Sequence, residues 1–284
     1  MLILILVVAL LAVAAAAGFL GSLAGLGGGV ILTPVLVLFF GVPFGDAVGA
    51  SAVSILATST TSGAAFVHDR LTDLRIGNFL QIATVPGALI GATATVFLAR
   101  TDLVPVLLIA LGAVLLSTVP SSLHHRSIEQ IPSTPGDDLS RRLNLRGNYF
   151  DRFRQRVVHY EAQDSRSALG IMFGAGVVAG LFGIGSGVLK VLALDGAMRL
   201  PMKVSTATSN FMIGVTATAG VGVLFAGNLV VPVLAAPVAI GTTVGAFLGS
   251  RLLPRLANRL IRYVFVVILV VLATETIVRG AVAL

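Results

Sequence analysis

Two glycine clusters offer the first chemistry in this chain: GLGGG at 25–29 and GIGSG at 183–187. Alternate and consecutive glycines make poor helix. They free backbone N–H groups and expose helix N-termini, whose partial positive charge attracts an anion. Lys190 follows the second cluster in the apolar run GVLKVLAL. A charge inside an apolar run reads as functional; the competing reading is a side chain that snorkels to the headgroups. Two hydroxyl-rich stretches accompany the glycines, SAVSILATSTTS at 51–62 and STATSN at 205–210. Serine and threonine in apolar helices commonly bond back to their own i−4 carbonyl, but their density here suggests a polar path. Asn210 is a neutral amide that needs a partner and can donate to an oxyanion. The candidate substrate-binding set is Gly27, Gly28, Gly29, Ser51, Gly185, Ser186, Gly187, Lys190, Ser209 and Asn210. The ligand it suggests is a small anion.

Enzyme chemistry finds little support. GIGSG contains a G-x-S-x-G pattern around Ser186, but that motif requires a strand-to-helix elbow and a His–acid pair. The chain has no cysteine, which excludes thiol catalysis, disulfides and zinc–thiolate sites. No metal-ligand spacing and no ATP-binding motif appear, and no cofactor is expected. His68 reads as a solvated loop histidine, His124 and His125 in the connector read as inert, and Glu275 and Arg279, four apart, read as a structural pair. Gly18, Gly21, Gly25, Gly176 and Gly180 have the spacing of close helix packing.

These residues sit in a strongly apolar chain. Of 284 residues, 56% are hydrophobic and 11% charged, with a mean hydropathy of +1.01. So few polar side chains cannot cover a water-soluble globule. A helix needs about 20 apolar residues to cross the hydrocarbon. Apolar runs occupy 1–40, 47–67, 76–99, 103–119, 167–194, 204–226, 229–252 and 260–278. The first ends in small residues like a signal peptide, but it lacks a positive n-region and continues too far. The net charge of +7 lies in short loops, which reads as membrane orientation rather than nucleic-acid binding. The polar stretch 121–166 is too short and too polar to bury its own core. It is expected to be a cytoplasmic connector with some amphipathic helix between two membrane repeats, 1–120 and 167–284.

Sliding the chain by 158 residues aligns those repeats without a gap, with 12 of 43 positions identical from Gly18 to Thr60. Pro43 falls on Pro201, Ser51 on Ser209 and Thr58 on Thr216, whereas Lys190 falls on Leu32. Corresponding loops carry opposite charge bias: 41–46 has no Lys or Arg, but its counterpart holds Arg199 and Lys203. That swap is expected of halves inserted upside down relative to each other. Inversion requires 167–194 to return to its starting side, and about 42 Å of helix is too short for two crossings. The fold class expected is therefore an all-α, polytopic membrane protein of two inverted repeats. Each has a re-entrant hairpin broken at its glycines, plus three spans.

GSLAGLGGGVILTPVL near the N-terminus resembles the TauE/SafE sulfite exporter family, as do AGLFGIGSGVLKV after the connector and the following PMKVSTATSN. The resemblance implies a prokaryotic inner-membrane transporter of small sulfur-containing anions, sulfite or sulfonates. The sequence departs from twin symmetry at Ser186, which replaces the middle glycine, and at Leu192, which aligns with Pro34. The leading expectation is export of such an oxyanion at a midplane site. Alternatives are an uptake permease for a sulfonate or small carboxylate, a membrane-embedded enzyme, or an assembly protein. Expected partners are the anion and the lipid bilayer, with no nucleic acid; a homodimer is left open.

Overall fold

The computed structural model describes residues 2–24, 28–68, 71–123, 136–151, 155–252 and 258–283. Gly25, Gly27, His124 and His125 lie outside the described residues. Helices dominate: α1 (Leu2–Ala24), α2 (Gly29–Phe40), α3 (Phe44–His68), α4 (Leu74–Leu98) and α5 (Val104–Leu123) form the first half. The second holds α7 (Ser165–Phe182), α8 (Gly187–Val191), α9 (Met202–Ala226), α10 (Pro232–Leu252) and α11 (Asn258–Val282). α8 runs on into a π-helical segment, Leu192–Ala197. Among the described residues, the helices at 74–98, 165–182, 202–226 and 232–249 are each long and apolar enough to cross a membrane. Ile82, Phe97, Val233, Ile240 and Val267 are all at least 60% exposed. Apolar side chains turned outward along helices in such number mark a lipid-facing surface.

The connector adds strand to an otherwise helical fold. Among the described residues it holds one short helix, α6 (Asp138–Leu143), and an antiparallel hairpin of β1 (Arg146–Asp151) and β2 (Arg156–Glu161). The signal was present in NYFD and RVVHYE, where aromatic and β-branched residues favour a pleated strand. The hairpin has no separate core. Leu145, Tyr160 and Ala162 share a buried cluster with Ile76, Met172 and Met212 of the helices. Gly147 stands opposite Tyr160 across the strands. There Tyr160 Oη donates to Asp73 Oδ2 at 2.9 Å. The same aspartate caps α4 by accepting from the amides of Arg75 and Ile76.

The element boundaries repeat with the 158-residue offset. Adding 158 to the bounds of α3 gives those of α9. Gly29, which opens α2, becomes Gly187, which opens α8. Local details follow. Val42 N–H donates to Leu36 O, and Leu200 N–H to Leu194 O. Gly41 and Arg199 both adopt a left-handed conformation, with φ of 63° and 51°.

Each half lays its first helix on the third long helix of the other. α7 crosses α4, and α1 crosses α10. Glycines let the backbones touch at both crossings. A Cβ on Gly176 would strike the carbonyl of Thr84, and one on Gly18 would strike that of Thr242. Gly91 approaches the Val177 carbonyl, and its twin Gly249 approaches Phe19. Each contact is the other's image under the offset, with the halves exchanged. Packing is therefore the role of Gly18, Gly176 and Gly180. Glu275 and Arg279 form the expected half-exposed pair, at 3.9 Å.

Candidate functional site

The second glycine cluster breaks the helix. α7 stops at Phe182, and Gly183, Gly185 and Ser186 take positive φ values of 61°, 71° and 47° before α8 begins. Only glycine enters this region without a steric penalty, so Ser186 is held there by its neighbours. The GIGSG pattern thus joins two helices and is not a strand-to-helix elbow. In the first half, α1 ends at Ala24 and α2 starts at Gly29.

The two breaks meet. A Cβ on Gly29 would lie 2.8 Å from the carbonyl oxygen of Gly183 and would strike the side chain of Ile55. A Cβ on Gly185 would rest against both Ile55 and its twin Ile213. The carbonyls freed at the end of α7 find hydroxyls from the other half, since Thr33 donates to Phe182 O at 3.0 Å and Thr95 to Leu181 O at 2.7 Å. Neither threonine stood out in the sequence, because each looks like an ordinary hydroxyl in an apolar helix.

Ser51 and Ser209 perform the same task in each half. Ser51 Oγ donates to Gly29 O at 3.1 Å, and Ser209 Oγ to Gly187 O at 3.3 Å. Both hydroxyls are buried. They pin the first turn of each short helix to the following long one.

Lys190 is wholly buried. Its ammonium donates to Thr216 Oγ1 at 2.9 Å and approaches Met212 O at 3.5 Å. Snorkelling is therefore not the arrangement adopted. Thr216 Oγ1 in turn donates to Met212 O at 2.6 Å, and Gln81 Oε1 lies 3.3 Å from the same hydroxyl. Gln81 Nε2 also donates to Met212 O, at 3.0 Å. Among the described residues no carboxylate pairs with Lys190. Gln81 was missed in the sequence, because its helix carries no other sign of the site.

Asn210 points elsewhere. Its Nδ2 donates to Ser62 Oγ at 2.7 Å, and its backbone carbonyl accepts from Ser59 Oγ at 2.5 Å. It ties α9 to α3, while the lysine lies where α9 meets α4 and α8. Of the predicted residues, Lys190 thus stands in one hydrogen-bond group, Asn210 in an interhelical tie, and Ser51 and Ser209 in their own bonds to Gly29 and Gly187. Gly28 is buried at the start of α2, where its carbonyl accepts from Ile31 and Leu32. Gly187 opens α8 beside Ser186.

A cavity of about 10 Å³ lies beside the second break, between α3, α7 and α9, lined in part by Ile55, Gly183, Gly185 and Thr216. That is room for roughly one water. Three buried hydroxyls, Ser54 Oγ, Thr72 Oγ1 and Ser186 Oγ, and one buried carboxylate oxygen, Asp195 Oδ1, have no hydrogen-bond partner among the described residues. A buried polar group without a partner costs about 1–3 kcal/mol. Among the described residues, α3 and the second break thus carry hydroxyls without partners, and α8 carries a lysine with no carboxylate paired to it.

A family model described as "Sulfite exporter TauE/SafE" matches residues 10–276. The chain is 27% identical over 278 residues to "Probable membrane transporter protein YunE" of Bacillus subtilis (strain 168), covering 93% of this chain and 94% of the relative. No solved structure matches.

Proposed function

The chain belongs to the sulfite exporter TauE/SafE family of membrane transporters, and from that premise we propose that it is a secondary transporter exporting a small sulfur-containing oxyanion across a prokaryotic inner membrane. The observation that carries the reading is Lys190, a fully buried cation with only neutral partners among the described residues, beside a helix break. A buried charge left alone is costly, and an anion in contact with it offsets that cost. The amides of the unwound turn at 184–187 and the hydroxyls of Ser186 and Ser54 complete the donor set. In this reading Gly27–Gly29 and Gly185–Gly187 shape the site, Ser51 and Ser209 hold its walls, and Asn210 keeps α3 and α9 together.

The two halves are antiparallel in this account. Each contributes a re-entrant hairpin that turns back at its glycines, and the connector 121–166 faces the cytoplasm. The swapped loop charges support it, together with the exchange of helices between halves. The cavity holds about one water, so this conformation is closed and an oxyanion enters only when the breaks separate. The membrane potential drives anions outward, at about 2.3 kcal/mol per charge per 100 mV, which suffices without a coupled ion.

Flux of labelled sulfite in proteoliposomes under an imposed potential tests the reading. Saturable, potential-dependent flux is expected. No flux of sulfite, thiosulfate or sulfonates through correctly folded protein would refute it.

A further inference from the structure

The twin half-sites differ in charge. The offset keeps Gly29 with Gly187, Ser51 with Ser209 and Thr58 with Thr216. It keeps both serine-to-glycine hydrogen bonds as well. Where the second half has Lys190, however, the first has Leu32, buried at 1% exposure. Where the lysine's neighbourhood has Gln81, its twin has Ala239. Thr216 accepts from Lys190, while Thr58 only donates to Ile55 O within its own helix, at 3.1 Å. The polar group is therefore built on one side of an otherwise paired site.

We propose that the site selects by charge: each chain takes one singly charged oxyanion, such as hydrogensulfite or a small alkanesulfonate, and discriminates against dianions of the same size. This rests on the reading of the chain as an oxyanion transporter. One ammonium neutralises one negative charge. A dianion would leave a full negative charge buried without a partner, which is strongly unfavourable. The twin position, being leucine, supplies no second cation. The apolar part of the cavity wall, Ala52, Ile55, Ala179, Ala217 and Leu224, offers no second cation either. Its apolar side chains suit contact with a methyl group, which a methanesulfonate carries and a sulfate lacks.

Methanesulfonate and sulfate are close in size and differ in charge, so they separate the possibilities. Each is added in excess to wild-type protein moving labelled sulfite in proteoliposomes. Methanesulfonate is expected to inhibit at a concentration at least about tenfold lower than sulfate, a difference set by the uncompensated charge. Equal or stronger inhibition by sulfate, or inhibition by neither, overturns charge selection and leaves transport standing. Absence of sulfite flux overturns the parent reading and this one together. A Leu32→Lys variant supplies the missing cation, and its methanesulfonate preference is expected to fall by about tenfold or more. An unchanged preference in folded Leu32→Lys protein also contradicts the proposal.

Discussion

The ammonium of Lys190 donates to the hydroxyl of Thr216 across 2.9 Å, inside a bundle where neither side chain reaches the surface. Hydrogen bonds to charged groups contribute about 1.5–3 kcal/mol. Thr216→Val removes this one and leaves Met212 O as the remaining partner. The variant is expected to melt lower, by an amount in that range. In the Lys190→Met background the same substitution should cost much less, because an apolar side chain of similar volume removes the buried charge. A double-mutant cycle on thermal unfolding measures the coupling, and additivity would show that the two do not interact.

The meeting of the glycine breaks predicts an unequal response to alanine. Gly29→Ala places a methyl 2.8 Å from the Gly183 carbonyl, and overpacking of this kind costs about 1–3 kcal/mol. Gly183→Ala adds left-handed strain of about 1–2 kcal/mol to a clash with the Val48 backbone. Gly174, also helical, leaves open space where a methyl would stand, with nothing within 4 Å, so Gly174→Ala is expected to stabilise by about 0.5–1 kcal/mol. Melting temperatures of the three purified variants check the order.

Alkaline pH should loosen the hairpin. Burial raises the pKa of the Tyr160 phenol, and the Asp73 carboxylate beside it raises it further. The docked hairpin thus keeps a proton that the undocked one loses above about pH 10. Docking is constant below that value and weakens as pH rises beyond it. Amide exchange within 146–161, extrapolated to a common intrinsic rate, should accelerate between about pH 9.5 and 11. Tyr160→Phe should abolish this dependence and lower stability by about 0.5–3 kcal/mol at neutral pH.

Antiparallel halves predict opposite exposure for Asp46 and Arg199, which lie at corresponding turns. The chain contains no cysteine, so Asp46→Cys and Arg199→Cys each introduce a unique thiol. A membrane-impermeant maleimide applied to intact spheroplasts should label the first and spare the second. Equal labelling would rule out inversion.

Much of this architecture was legible because apolar length, glycine clusters and a repeat at fixed offset are local properties of the chain. Ser51 and Ser209 could be paired before their shared bond to a glycine carbonyl was seen. What escaped reading depended on partners distant in sequence. Gln81 matters only because α4 packs beside α9, and Thr33 and Thr95 only because α7 ends against them. Asn210 looked like a ligand because its partner, Ser62, lies 148 residues away. The hairpin was obscured by the arginines around it, which spoke more loudly for a charged linker than NYFD and RVVHYE did for strands.

The most direct test of the central claim is sulfite flux through Lys190→Met protein in proteoliposomes, normalised to the amount of folded transporter. Loss of at least about nine-tenths of wild-type flux, with melting temperature retained, is predicted from removal of the only buried cation among the described residues beside the breaks. Wild-type flux with unchanged saturation would show that the anion does not rest against this lysine.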